Sequence, residues 1–259
     1  MIIIRRWNKK IACKKSVYTP KMQEFLNTID VHVEQSLQDA QRVFKHDSSG
    51  TVVWTPAVSD PSVRWIIKRT AATGWRFIKR TVIKTRAQKN WDNASILLKR
   101  GIATFEPIAF IETRWGPFRG RSYFIGSYLP GQLAIDYFMT SDPTDPLQKK
   151  VARNILCLIR KLRKNKIRHR DLNLSNIVLQ GTKPYLIDLD SMRRHDCGFW
   201  SGCFYRRELA RFLGNWRDVQ GGEAEHFPTF QQLMLEKSKQ SLKNKIKSVL
   251  KLKNIQVSQ

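Results

Sequence analysis

The sequence predicts an α+β fold in two lobes, a small N-terminal lobe built on an antiparallel sheet and a larger, mostly helical C-terminal lobe. From Gln41 to Arg69, and again from Ile108 to Tyr128, short extended stretches alternate with turn-rich clusters, the pattern of antiparallel strands. From Leu147 to Lys164, the apolar residues Val151, Ile155, Leu158, Ile159 and Leu162 recur at helical spacing with basic residues opposite. Between them and the C-terminus, two short apolar runs, Ile177 to Leu179 and Tyr185 to Leu189, flank Gly181 and Pro184 and read as a tight hairpin. The expected division is a basic arm at 1–30, an N-lobe at 31–127 and a C-lobe at 128–259 that ends in a basic helix. With 259 residues, of which 41% are hydrophobic, the chain can bury a core of this size.

In chain order, residues 1–30 are basic and weakly patterned, with Trp7, Tyr18 and Phe25 scattered among Lys and Arg, and read as a surface-draped arm. Val31 to Ala40 reads as a short helix or a linker. Arg42 to Lys45 and Thr51 to Thr55 read as strands around the turn Asp47-Ser48-Ser49-Gly50. Ser62 to Arg69 is the next strand, in which Lys68 and Arg69 point to opposite faces. Thr73 to Gly101 reads as helical: Trp75, Ile78 and Val82 recur at helical spacing, then Trp91, Ala94, Leu97 and Leu98, with Gly101 as the stop. Ile108 to Ile111 and Arg121 to Tyr128 follow as antiparallel strands around a basic, Gly-rich loop. Glu208 to Trp216 reads as a helix, and Thr229 onward as an amphipathic one in which Leu233, Leu242 and Ile246 are interleaved with lysines.

The polar residues around the hairpin carry the chemistry. His169, Asp171 and Asn176 precede its first strand, and Asp188 ends its second. His-Arg-Asp followed by Asn five residues past the Asp is the arrangement of a phosphoryl-transfer loop. Such a loop needs a carboxylate, Asp171, to accept the proton of an attacking hydroxyl. It needs an amide oxygen, Asn176, and a second carboxylate, Asp188, to hold Mg²⁺ against the phosphates of ATP. A hairpin returns Asp188 to the metal that Asn176 reaches from the other side.

This stretch resembles the catalytic core of the protein-kinase-like superfamily and, more narrowly, the lipopolysaccharide kinases of Gram-negative bacteria, which phosphorylate inner-core sugars (heptose or Kdo). Their loop reads His-Arg-Asp-Leu-Asn with a downstream Leu-Ile-Asp-Phe-Asp; here the matching residues are His169 to Asn173 and Leu186 to Asp190. Asp190 stands where a protein kinase has Gly. The resemblance implies that Lys68, in Trp-Ile-Ile-Lys-Arg, neutralises the non-transferred phosphates. It also implies that Ser48, Ser49 and Gly50 form the phosphate-covering turn, and that Tyr128 and Leu129, in Tyr-Leu-Pro-Gly, are the hinge that meets adenine. Protein kinases pair the strand lysine with a helix Glu. Here Asn90 precedes Trp91, so that pairing is absent or Asp92 or another acid substitutes. No Ala-Pro-Glu follows Asp190, which argues against a protein substrate docked there. Arg193, Arg194 and His195 are placed to face the acceptor sugar or solvent. The implied activity is ATP-dependent phosphorylation of a sugar hydroxyl of the lipopolysaccharide inner core. A protein or small-molecule kinase, or an inactive pseudokinase that binds polyanions, is the alternative.

The net charge of +26 suits a polyanionic partner: a phosphorylated core glycolipid, an anionic inner membrane touched peripherally, or nucleic acid. Nucleic acid is the least favoured, since the aromatics form no stacking motif and the Asp171, Asn176 and Asp188 set would go unused. Met1 to Trp7 is too short and too basic for a secretory signal, and no stretch has the length of a membrane span, so a cytoplasmic location is expected. Cys157 lies in an apolar run and is expected to be buried. Cys197 and Cys203, with His195 nearby, fit no common zinc spacing, and no disulfide framework is suggested. Nothing in the sequence indicates an oligomeric state.

Overall fold

A computed structural model describes residues 1–48, 50–70, 84–115, 118–142, 145–194 and 212. The N-terminal lobe is built from strands β1 (Ile2–Arg6), β2 (Lys9–Cys13), β3 (Val43–Asp47), β4 (Gly50–Pro56), β5 (Arg64–Thr70), β6 (Pro107–Trp115) and β7 (Phe118–Ser127). Among the described residues these form one seven-stranded sheet in the order β1-β2-β6-β7-β5-β4-β3, with every pairing antiparallel. Alternation assigns its two faces. Ile11, Val53, Trp65, Ile67, Ile111, Tyr123 and Ile125 are buried on one, against Met22, Phe25, Leu26, Ile29 and Val33 of helices α1 (Pro20–Asn27) and α2 (Ile29–Leu37). Ala12, Phe110 and Phe124 are buried on the other, against helix α3 (Arg86–Lys99), where Trp91 meets Phe110 edge to face at 5.8 Å.

The first 30 residues are therefore no surface arm. β2 pairs with β6 in register Ile11↔Ile111 and buries Ile11, Ala12 and Cys13. The Thr19 hydroxyl accepts the Met22 N–H at 3.2 Å and Pro20 opens α1, so the helix starts with a standard N-cap. Ile11, Met22, Phe25, Leu26 and Ile29 of this stretch belong to the core on one sheet face, which a draped arm would leave open.

Helix α3 is capped by Thr85, which accepts the Gln88 N–H at 3.2 Å and donates its own hydroxyl to the fully buried Glu112 at 2.6 Å. It stops at Gly101, whose φ of +66° is the left-handed conformation glycine adopts without strain. The helical reading of 73–83 lies outside the described residues. So do Ser49, residues 116–117, His195, Cys197, Cys203, the Glu208 to Trp216 helix except the buried Phe212, and the basic stretch from Thr229.

The chain leaves the sheet at Tyr128 to Gly131 and enters the C-terminal lobe through β8 (Gln132–Leu133) and α4 (Ala134–Thr140). Gly131 has φ +148°, and a Cβ there would sit 2.1 Å from the Leu179 carbonyl oxygen, so only glycine fits this crossing. Helix α5 (Pro146–Lys164) starts at Asp145, which accepts the Leu147 N–H at 2.8 Å. It buries Val151, Ala152, Ile155, Leu156, Leu158, Ile159 and Leu162. Cys157, expected inside, is exposed. It shares the outward stripe of Arg153 and Lys161 at four-residue spacing, so an apolar run in sequence is split between two helix faces. β9 (Ile167–Arg168), β10 (Ile177–Gln180), β11 (Lys183–Leu186) and β12 (Arg193–Arg194) complete the lobe. β10 and β11 form the expected hairpin, registered Ile177↔Leu186 through Gln180↔Lys183 around Gly181, and β12 pairs with β9. Among the described residues no helix is long and apolar enough to cross a membrane.

Candidate active site

A cavity of about 970 Å³ separates the sheet from the C-terminal lobe. Lys68, Asp171, Asn176 and Asp188 all line it, as do Gly50, Tyr128 and Leu129. Ser48 does not: it sits exposed at the tip of the β3–β4 turn. Gly50 is pinned there by its N–H, which donates to Asp47 Oδ1 at 3.1 Å. A Cβ on it would lie 2.6 Å from the Arg69 carbonyl oxygen, so a side chain would push β4 from β5.

Lys68 stands in the middle of β5, opposite Val52 on one side and Phe124 on the other. Its Nζ donates to Asp188 Oδ1 across the cavity. Arg69, on the opposite face, pairs with Glu34 of α2. Alternation along the strand thus separates the two cations as the sequence predicts.

Asp188 sits at φ +55°, ψ +59°, a conformation non-glycine residues adopt at a cost of about 1 kcal/mol or more, which the surrounding bonds must offset. Those bonds are legible. The buried Asn90 of α3 accepts the Leu189 N–H on its Oδ1 at 3.1 Å and anchors its Nδ2 on the Arg86 carbonyl at 3.1 Å. Asn93 Nδ2 donates to the Leu189 carbonyl at 2.6 Å. On the other side the fully buried His169 places Nε2 3.1 Å from the Ile187 carbonyl, and Ser191 Oγ donates to the His169 carbonyl at 2.8 Å. Burial pushes the Asp188 carboxyl up. The Lys68 charge and hydrogen bond, with the His169 and Arg86 charges, outweigh it and hold the group below the ordinary carboxylate range. Burial pushes the Asp190 carboxyl up as well; there the Lys68 charge opposes it, the Asp188 charge adds to it, and the net is upward. Arg86 Nε lies 3.4 Å from Asp190 Oδ2.

Among the described residues no helix acid takes the place of the protein-kinase Glu. Asp92 pairs with Lys84 at 2.7 Å on the surface, and Asn90 turns to the backbone beyond Asp188. The strand lysine is held instead by Asp188 itself.

The catalytic-loop geometry is equally specific. Asn176 Nδ2 donates to the Asp171 carbonyl at 2.9 Å and to Asp171 Oδ2 at 3.1 Å. Asn173 caps the turn, its Oδ1 accepting from the Asn176 N–H at 2.9 Å and from the Ser175 hydroxyl at 2.7 Å. Arg170 holds φ +71°, and with the Asp188 distortion this puts two of the backbone's three positive-φ non-glycine residues beside the cavity among the described residues. With its nitrogen spent on Asp171, Asn176 has its amide oxygen left to offer a cation.

Among the described residues no three acidic, His or Cys side chains cluster as a closed metal site. One carboxylate, Asp188, and one amide oxygen, Asn176, are the hard, incomplete donor set that suits Mg²⁺, which usually takes its remaining ligands from phosphates and water. Sequence reasoning missed Asn90 and Asn93 as holders of the 188–192 segment. It also missed Phe44, which stacks on the hinge residue Tyr128 with centroids 6.2 Å apart and lines the cavity. Only their place opposite the hairpin, which no spacing reveals, marks them.

An antiparallel sheet over a helical lobe, with a lysine strand, an Asp-Asn loop and a returning Asp around one cleft, defines a protein-kinase-like phosphotransferase fold. Residues 60–202, more than half of the sequence, match the model of the Lipopolysaccharide kinase (Kdo/WaaP) family, and the chain belongs to that family. It is thus a kinase of lipopolysaccharide biosynthesis. The fold is similar to that of "WaaP in complex with acyl carrier protein", with a TM-score of 0.55 and 14% identity over 86% of this chain and 88% of that one. The PknI kinase domain of Mycobacterium tuberculosis matches more loosely, with a TM-score of 0.40 and 18% identity over 58% of this chain and 57% of that one. No curated protein sequence matches the chain.

Proposed function

We propose that the protein transfers the terminal phosphoryl group of ATP to a hydroxyl of an inner-core sugar, heptose or Kdo, of lipopolysaccharide. The carrying observation is that Lys68, from the N-terminal sheet, lines one cleft with Asp171, Asn176 and Asp188 of the C-terminal lobe in mutually supporting geometry. Asp171 orients the acceptor hydroxyl and takes its proton on the carboxylate; Asn176 fixes that carboxylate through Nδ2. Asp188 and the Asn176 amide oxygen would hold Mg²⁺. When bound, that ion neutralises the phosphate oxygens and aligns them for in-line transfer. Lys68 offsets the charge of the non-transferred phosphates. Gly50, which lines the cleft at the start of β4, is the part of the β3–β4 turn placed to cover them, and the Tyr128–Leu129 backbone receives the base. Phosphoryl transfer asks mainly for positioning and charge neutralisation, and this set supplies both. The charge of +26 supports a peripheral position on an anionic cytoplasmic membrane face, where the glycolipid acceptor is met.

The test is incubation of the purified protein with labelled ATP, Mg²⁺ and core glycolipids of defined structure, followed by mild hydrolysis and mass spectrometry of the released sugars. Label on heptose or Kdo is the expected result and says which. Label on protein but on no glycan overturns the substrate assignment.

A further inference from the structure

The turn of the first hairpin carries a residue that its position does not call for. β1 and β2 pair from Ile2↔Cys13 to Arg6↔Lys9, which leaves Trp7 and Asn8 as a two-residue turn. Such turns favour Gly, Asn or Asp, which suit tight, solvated backbone. Trp7 is instead 78% exposed, the most of any large hydrophobic residue among those described. The turn is held in place: the Arg114 N–H donates to the Asn8 carbonyl at 2.7 Å and ties it to β6. Arg5 and Arg6 beside it are exposed, and Lys9 and Lys10 are half-buried. Residues 1–23 hold seven lysines and arginines and no acid. The acid opposite Lys10 on β6, Glu112, is fully buried and bonded to Thr85 and Arg114, so it faces inward. Charge alone would be explained by the sheet edge, since β1 is an end strand and cations blunt edge-to-edge pairing. An exposed Trp at the tip works against that purpose.

Trp ringed by Arg and Lys is the composition that settles at a bilayer surface: the indole lies at headgroup level while the cations meet anionic lipid. Strand register says which end of the sheet this tip occupies. β2 meets β6 as Lys9↔Thr113, β7 meets β5 as Ser122↔Thr70, and β5 meets β4 as Arg69↔Thr51. The β1–β2, β6–β7 and β3–β4 turns therefore share one end of the sheet, and the chain leaves for Tyr128 from the other. Gly50, at the β3–β4 turn, lines the cleft at that shared end. We propose that the β1–β2 turn, with Trp7 at its tip and Arg5, Arg6, Lys9 and Lys10 around it, docks on an anionic lipid bilayer and holds the phosphate end of the cleft near it. The inference deepens the proposed function, on whose membrane-borne acceptor it rests for its purpose, by naming the surface that meets the membrane.

Vesicle sedimentation would compare wild type with Trp7→Ala, with Arg5→Gln/Arg6→Gln and with Lys161→Gln/Lys164→Gln, an equal charge loss on the exposed side of α5. The vesicles are phosphatidylcholine alone or phosphatidylcholine mixed with phosphatidylglycerol. Wild type should bind the mixed vesicles and leave the others. The Arg5/Arg6 variant should bind the mixed vesicles roughly twenty-fivefold more weakly, about fivefold for each cation at an anionic surface. Trp7→Ala should weaken binding by at least about fivefold, through the apolar area withdrawn from the interface. The α5 variant should bind nearly as wild type does, and all variants should keep the wild-type melting temperature, since the changed side chains are exposed. Unchanged binding in both tip variants overturns the proposal. So does an equal loss in the α5 variant, which would show net charge at work rather than this surface. Tip variants that lose binding to single-stranded RNA while keeping the vesicles would assign the surface to nucleic acid instead. No nucleotide enters these measurements, so they stand whether or not the protein is a sugar kinase. Where transfer is observed, the tip variants should match wild type on delipidated core oligosaccharide and fall behind it on glycolipid embedded in vesicles. An equal fall on both acceptors overturns the docking role.

Discussion

The Asn90 side chain accepts the Leu189 N–H at 3.1 Å, joining positions 99 residues apart in a fully enclosed contact. It stands where the protein-kinase pattern asks for a Glu that reaches the strand lysine, and it serves the other end of the same network by holding the backbone just past Asp188. Asn90→Ala leaves a buried N–H without an acceptor, which costs roughly 1–3 kcal/mol. The expected outcome is a melting temperature lower by several degrees together with weaker Mg²⁺-dependent ATP binding. Unchanged binding at reduced stability would limit Asn90 to a packing role.

The Lys68–Asp188 pair predicts a pH dependence. Burial acts to raise the Asp188 pKa, but Lys68 leads the charges that bring it below the ordinary carboxylate value. A carboxyl lowered on folding contributes stability above its unfolded pKa and loses it as pH falls through the folded value. Lys68→Met leaves the half-buried carboxylate without its partner. In nucleotide-free, metal-free buffer, the melting-temperature gap between wild type and variant should be full at neutral pH. It should close as pH falls through and below the ordinary carboxylate range. A gap of constant size across that range would contradict the pairing.

The hinge crossing depends on one missing side chain. Gly131→Ala would set a Cβ 2.1 Å from the Leu179 carbonyl at a φ of +148°. The expected cost is roughly 3 kcal/mol or more, through displacement of β8 from β10. Chemical denaturation checks this, and Gly181→Ala, with open space around its Cβ but a φ of +56°, should cost less.

The two described cysteines should differ in reactivity. Burial pushes the Cys13 thiol up to about 11 and its side chain is 1% exposed, whereas Cys157 faces solvent. Brief alkylation near pH 8 followed by peptide mapping should modify Cys157 and spare Cys13 until the protein is unfolded, because the thiolate is the reacting form. Early labelling of Cys13 would place β2 outside the sheet.

How legible the fold and site are in the sequence follows from how local each feature is. The His169 to Asp190 arrangement is readable because a hairpin must return Asp188 to Asn176, and that requirement fixes spacing. Lys68 is readable because strand alternation separates it from Arg69. The first 30 residues are not readable as structure. β1 is an edge strand with only Ile2 and Ile4 half-buried, and β2 mixes two lysines with three buried residues, so neither alternates cleanly. Thr19-Pro20 was the local clue, a cap followed by a residue suited to the first helical turn. Cys157 misleads because Ile155 to Ile159 is apolar throughout while the helix still has an outside. Asn90 and Asn93 act only across tertiary contacts, and their neighbours in sequence carry no trace of it.

The most direct measurement compares wild type with Asp171→Asn, an isosteric change that keeps the loop's shape. Mg²⁺–ATP affinity is read by calorimetry, and labelled phosphoryl transfer to core glycolipid is read in a single turnover. Nucleotide affinity should stay within a few-fold while transfer falls by at least about a hundredfold, the scale of a lost general base. Transfer at the wild-type rate by Asp171→Asn would contradict the role given to this carboxylate and, with it, the reading of the cleft as a sugar kinase site.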